Sequence, residues 1–230
     1  MHDLVLAEAL ATEPAGAAVS AVLPLADART PQRIDGDLSQ LPDYNFGPTS
    51  LGWWGVVGFM LIEGMGFVLA FGVYFYLIPL EQQWPPAPTA PPPLPWSTAF
   101  VALALVSEIP NLLAARAAKR LDLRGVQVAM TVTSAVALIV LAARAFELAA
   151  LNVSWMDTAY GSIVWALLSL HTLHTVTDVY DSLVLNVLVF VKPVDGRKFS
   201  DVADNAMYWH FIVASAVVLY LIVYWTPRWL

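Results

Sequence analysis

From residue 53 onward the chain is laid out in long apolar blocks, separated by short polar or proline-rich stretches. An apolar run of about 20 residues crosses about 30 Å of hydrocarbon. Five blocks qualify: Trp53–Ile78, Trp96–Ala115, Val126–Leu148, Tyr160–Val191 and Ala206–Trp225. The second contains Glu108 and Pro110. The fourth is longer than an upright span needs, so it is expected to tilt or to extend past the membrane. The pattern predicts an all-α integral membrane bundle of five transmembrane helices over residues 47–230. Residues 1–46 read as a separate N-terminal arm. Ala, Asp, Pro and scattered Leu fill it, with no basic residue before Arg29, so a secretory signal peptide is not expected. A short helix fits Leu4–Leu10, and the rest of the arm is expected to be extended or poorly ordered.

The connections alternate in charge. Residues 84–95, WPPAPTAPPPLP, carry no basic residue and cannot be helical throughout, because proline lacks the N–H and clashes inside a helix. They read as a stiff, extended loop outside the bilayer. The second connection carries Arg116, Lys119, Arg120 and Arg124. The third, around Asn152–Asp157, has no Lys or Arg, and the fourth carries Lys192, Arg197 and Lys198. Basic loops stay in the cytoplasm. The N-terminus and the second and fourth loops are therefore expected inside, and Arg228 and Leu230 outside, in the inner membrane of a bacterium. Trp53, Trp54, Trp84, Trp96, Trp155, Trp225 and Trp229 fall near span boundaries, where aromatic belts form.

Composition strengthens the membrane reading. Of 230 residues, 59% are hydrophobic and 13% charged, with a mean hydropathy of +0.66. Soluble domains carry roughly 45–50% apolar and about 25% charged residues. A net charge of -7 argues against nucleic acid as a partner. There is no cysteine, which removes disulfides, thiolate metal sites and cysteine nucleophiles.

Charged residues inside a span are costly and need an explanation each. His171, His174, Asp178 and Asp181 are spaced 3, 4 and 3 apart, so they share one face of the fourth helix, with Thr175 beside them. Such a stripe belongs against neighbouring helices. It fits an interhelical hydrogen-bond ladder, a metal or haem site, or a proton relay. Glu63, near mid-depth in the first span and flanked by Gly64 and Gly66, fits either a proton-handling group or a carboxyl bonded to a neighbouring helix. Arg144 and Glu147, at i and i+3, can pair, with Arg144 reaching the outer headgroups. Pro110 is expected to kink the second helix and free a carbonyl, with Glu108 lining the opening. His210 lies close to the start of the last span. Phosphate loops, HExxH, GxSxG and GxGxxG are absent from the chain, and four histidines cannot supply a multi-haem centre.

Four segments, WWGVVGFMLIEGMGF (53–67), ARAFEL (143–148), AYGSIVWALLSLHTLHTVTD (159–178) and NAMYWHFIVASAVVLYLIVYW (205–225), resemble in order and spacing subunit III of the haem-copper oxidases, the cytochrome c oxidase type. The resemblance places Glu63 on the family's intramembrane carboxylate and Glu147 on its next helical acid. His171 and His174 fall on its paired histidines, and Trp209 with His210 on its last-helix signature. It implies a non-catalytic accessory subunit that binds no haem or copper itself. Those cofactors sit in the partner, catalytic subunit I, while this chain packs against it, holds phospholipid, and supports proton uptake and aerobic electron transport. Subunit III usually has seven spans, and this chain resembles one lacking the first two. Thr172 and Leu173 stand where the family usually has Gly-Phe or Gly-Leu. Similar five-span relatives accompany nitric oxide reductase and quinol oxidases, so these complexes are alternatives. Two readings from other classes are a stand-alone membrane haem or metal protein using His171, His174 and His210, and a small transporter built on the polar stripe.

Overall fold

The computed structural model of the protein describes residues 51–191 and 196–230. The N-terminal arm, the helix expected at Leu4–Leu10, and the side chains of Lys192, Arg197 and Lys198 lie outside the described residues. Five helices follow one another: α1 (Leu51–Leu77), α2 (Leu94–Lys119), α3 (Leu123–Ala149), α4 (Ala159–Val191) and α5 (Gly196–Tyr220). A 3₁₀ turn, Ile78–Leu80, extends α1, and a π-helical turn, Leu221–Trp225, leads from α5 into a last helical turn, α6 (Thr226–Trp229). All five long segments are apolar and long enough to span a bilayer. The expected spans are found and extended: the second starts at Leu94 rather than Trp96, and the fifth starts well before Ala206. α2 runs through Pro110 as one helix.

Helices α2 and α3 form the largest pairing; α5 packs on α2 and α4, α4 also packs on α3, and α1 leans on α4 and α5. Three apolar clusters fill the interior: one around Phe67, Leu167 and Val223, one around Phe100, Trp209 and Val213, and one around Val126, Met130 and Val202. The outward surface is apolar too. Leu61, Ile62, Val68 and Leu69 on α1, and Val128 and Ile139 on α3, are exposed. Such surface has lipid as its solvent, so it needs no protein cover.

The connections are specific. Between α2 and α3 the chain reverses within residues 120–122. Leu121 takes a left-handed backbone conformation, and the Asp122 side chain caps α3 by accepting from the Gly125 N–H at 3.1 Å. The proline-rich loop is not a free rod. It turns where Thr89 N–H donates to the Pro86 carbonyl, and Arg228 donates to the Pro92 carbonyl at 2.5 Å. Trp84 is a correction to the belt expectation. It is buried between Tyr74 and Tyr160 and donates its indole N–H to the Tyr74 hydroxyl at 2.9 Å. Trp54, Trp96, Trp155 and Trp229 are exposed, as belt residues are. The start of α4 is shaped by Gly161. A Cβ there would stand 1.9 Å from the Ser154 carbonyl oxygen, so the preceding loop lies against the helix only because residue 161 has no side chain.

Candidate functional site

The polar stripe of α4 exists, but it serves three neighbours. His171 turns to α3, His174 to α1, and Asp178 and Asp181 to α5. One face of a straight helix touches several partners in a bundle, so a single stripe becomes several sites.

The first site is buried. Arg144, 1% exposed, donates to the Glu147 carboxylate at 2.8 Å and lies 3.0 Å from His171 Nδ1. Its guanidinium stands 3.6 Å from the centre of the Phe100 ring. The Tyr224 hydroxyl donates to the other Glu147 oxygen at 2.6 Å. His171 Nε2 lies 3.0 Å from the Ile212 carbonyl, which can only accept. The Nε2 nitrogen therefore carries the proton, and Nδ1 accepts from Arg144. Arg144 and Glu147 thus pair as expected, but Arg144 does not reach the headgroups. It points inward, because Phe100 and His171 offer its cation an aromatic face and an acceptor. Trp209, in the last-helix signature, donates to Ser107 Oγ at 2.8 Å and ties α5 to α2 in the same core.

The second site opens on a cavity. Glu63 lies twelve residues beyond the first residue of α1, about 18 Å at 1.5 Å per residue. Its carboxylate accepts from the Tyr208 hydroxyl at 2.5 Å and lies 3.2 Å from His174 Nε2. Further along α4, Asn205 of α5 donates to Asp178 at 3.2 Å and to Asp181 at 3.3 Å, and accepts from Ser182 at 3.1 Å. A cavity of about 950 Å³ lies between α1, α4 and α5 along these groups. Its lining holds five carboxylic residues, Glu63, Asp178, Asp181, Asp201 and Asp204, and no described Lys or Arg. Two polar atoms on its wall, Asp178 Oδ2 and His174 Nδ1, are buried and have no hydrogen-bond partner among the described residues. The cavity runs from the end of the bundle where α1 begins inward to Glu63. Gly52, Gly55 and Phe59 form the opposing wall. This arrangement can hold water, concentrate cations and pass a proton among carboxyls.

The third pair joins Glu108 of α2 to His210 of α5 in a very short contact, with the Asn111 amide 3.4 Å from the same ring nitrogen. Glu108 therefore faces His210 rather than a gap made by Pro110. The three helical histidines sit in three separate environments. Among the described residues no three His, Cys, Asp or Glu side chains converge to hold a metal ion.

Tyr208, Tyr224 and Asn205 complete these sites and were not singled out from sequence. Asn205 and Tyr208 stand three apart and so share the helix face that meets Asp178 and Glu63. An asparagine in an apolar helix was the available signal. Tyr224 had none, since a tyrosine near a span end reads as a belt residue.

A family model described as cytochrome c oxidase subunit III matches residues 49–228. No curated protein matches the chain.

Proposed function

The chain belongs to the cytochrome c oxidase subunit III family, and from that premise we propose that it supplies protons to the surface of a haem-copper oxidase from an acidic vestibule. Membership makes it a multi-pass membrane protein and a subunit III-like accessory of a haem-copper oxidase, a family whose members associate with the catalytic subunit. The observation that supports the finer reading is the cavity of five carboxylic residues reaching Glu63 without a described cation on its wall. A cleft of one sign raises the local concentration of the opposite charge, here the proton. Glu63, His174 and Tyr208 then form its inner end, where a proton can be held between carboxylate, imidazole and phenol. Haem and copper belong, on this reading, to the partner subunit. On this reading the vestibule opens to the cytoplasm, the side to which the basic loops assign the start of α1.

The test has two arms. Tagged protein extracted in mild detergent with its neighbours is expected to carry a haem-bearing subunit. Its absence would end the functional reading. Turnover of that partner with reduced cytochrome c or quinol as donor, and with oxygen or nitric oxide as acceptor, separates a cytochrome c oxidase from a quinol oxidase or a nitric oxide reductase. In the purified complex, Glu63→Gln with Asp178→Asn is expected to leave haem content unchanged while turnover at alkaline pH, where protons are scarce, falls several-fold. Unchanged alkaline turnover would refute the proton-supply role and leave the accessory role standing.

A further inference from the structure

The Glu108–His210 pair is in an unexpected place. Glu108 lies eleven residues before the end of α2, and His210 lies eleven residues past Phe199, where the fifth apolar span begins. Both therefore lie about 16 Å along their helices from the same end of the bundle and inside the apolar spans. Yet the His210 side chain is 41% exposed and that of Glu108 20%. The ionisable residues of the other two intramembrane clusters are turned inward or toward the acidic cavity. A carboxyl and an imidazole facing hydrocarbon are costly, and such residues almost always face protein or a water-filled cavity.

The surface around them is shaped as a groove. At about 100° per residue, Met207, His210, Ala214, Val218 and Leu221 fall on one stripe of α5, and each is partly or fully exposed. On one flank α5 holds α2 through Trp209 and through the Asn111 amide on the Ala206 carbonyl. On the other it holds α1 through Tyr208 and through Phe211, which lies against Gly64. The open stripe is thus the floor between α1 and α2. Ala214, four residues beyond His210, leaves that floor low, which is what lets a helix backbone approach.

We infer that this groove is the seat of one transmembrane helix of the catalytic subunit, and that this helix carries a hydrogen-bond donor, Lys, Arg, Asn, Gln or Ser, opposite Glu108. The inference rests on the accessory-subunit reading and adds to it which face meets the partner and through which chemistry. The partly exposed Glu108 carboxyl supplies the reason for a polar donor rather than lipid. A carboxylate 20% exposed inside an apolar span keeps acceptor capacity beyond its bond to His210, and an acyl chain has nothing to offer it.

The test uses the intact complex. A photoreactive benzoylphenylalanine is placed at position 214 in one sample and at position 139, on the exposed face of α3, in another. Illumination of the purified complex is expected to join position 214, and not position 139, to the haem-bearing subunit. Glu108→Leu and Ala214→Trp are each expected to retain about tenfold less of that subunit through purification, the size of a hot-spot loss. Ala214 is exposed, so the melting temperature of the isolated Ala214→Trp chain is expected to match wild type, which separates lost docking from a lost fold. If the complex copurifies but position 214 labels only lipid, or both variants retain the partner fully, the groove inference is overturned while the accessory role survives. If wild type brings down no haem-bearing subunit, both fall together.

Discussion

Arg144 and Glu147 make a sharp test of what holds the bundle together. Arg144 is 1% exposed and Glu147 4%, so neither charge has water to fall back on. Arg144→Met removes the guanidinium from Glu147 at 2.8 Å, from His171 at 3.0 Å and from the Phe100 ring at 3.6 Å. The Glu147 carboxylate is then buried with only the Tyr224 hydroxyl. Breaking a buried pair in this way costs about 3–5 kcal/mol. For a chain of this size, each 1 kcal/mol lowers the midpoint by about 2–4 °C, so a fall of about 6–20 °C is expected. Glu147→Gln strands the guanidinium instead and is expected to cost a similar amount. The double variant, Arg144→Met with Glu147→Gln, removes both charges together. The new side-chain amide at position 147 still accepts from Tyr224, and mainly the His171 nitrogen loses a donor, which costs about 1–3 kcal/mol. The double variant should therefore melt higher than either single. The assay is the fraction of chain that stays monodisperse in detergent after stepwise heating, for wild type and the three variants. Additive losses in the double variant would refute the reasoning, because they would mean that the two side chains act independently. A wild-type midpoint in Arg144→Met alone would refute it more simply.

Two further outcomes follow from close contacts. Gly161→Ala would place a methyl 1.9 Å from the Ser154 carbonyl oxygen, so the start of α4 or the loop before it must move. A loss of about 1–3 kcal/mol is expected, read as a lower midpoint in the same heating assay. Trp84→Ala removes a buried ring packed on Tyr74 and Tyr160 together with its bond to the Tyr74 hydroxyl. A loss of about 3–5 kcal/mol is expected, whereas Trp155→Ala on the exposed rim is expected to leave the midpoint near wild type.

The helices were legible because lipid imposes a length and a composition on whatever crosses it. Each span shows in its own twenty residues, with no help from distant parts of the chain. The spacing of His171, His174, Asp178 and Asp181 was legible for the same reason, being a property of one helix. The destination of each side chain was not. Glu63 meets Tyr208 across 145 residues, and Glu108 meets His210 across 102, and no local rule selects those partners. The Arg144–Glu147 pair shows both sides of this. Their i, i+3 contact follows from the helix alone, while the inward direction depends on Phe100 and His171 from two other helices. Trp84 was misplaced because a tryptophan beside prolines in a polar connection looks interfacial. Its burial depends on the loop folding back over Tyr160.

The position of α1 has a consequence for how the protein is made. This helix leaves the ribosome before the other described helices, yet it packs on α4 and α5, the last long helices to emerge. Glu63 enters the membrane 111 residues ahead of His174 and farther still ahead of Tyr208. At about 5–20 residues per second, it waits for roughly 6–20 s before its first partner exists. During that interval the carboxyl must be sheltered by something other than its own fold: the insertion machinery, a chaperone, or water at a thinned bilayer. A nascent chain of this kind is most vulnerable in its oldest segment. Slowing elongation between α3 and α4 should therefore raise its degradation more than slowing it between α4 and α5.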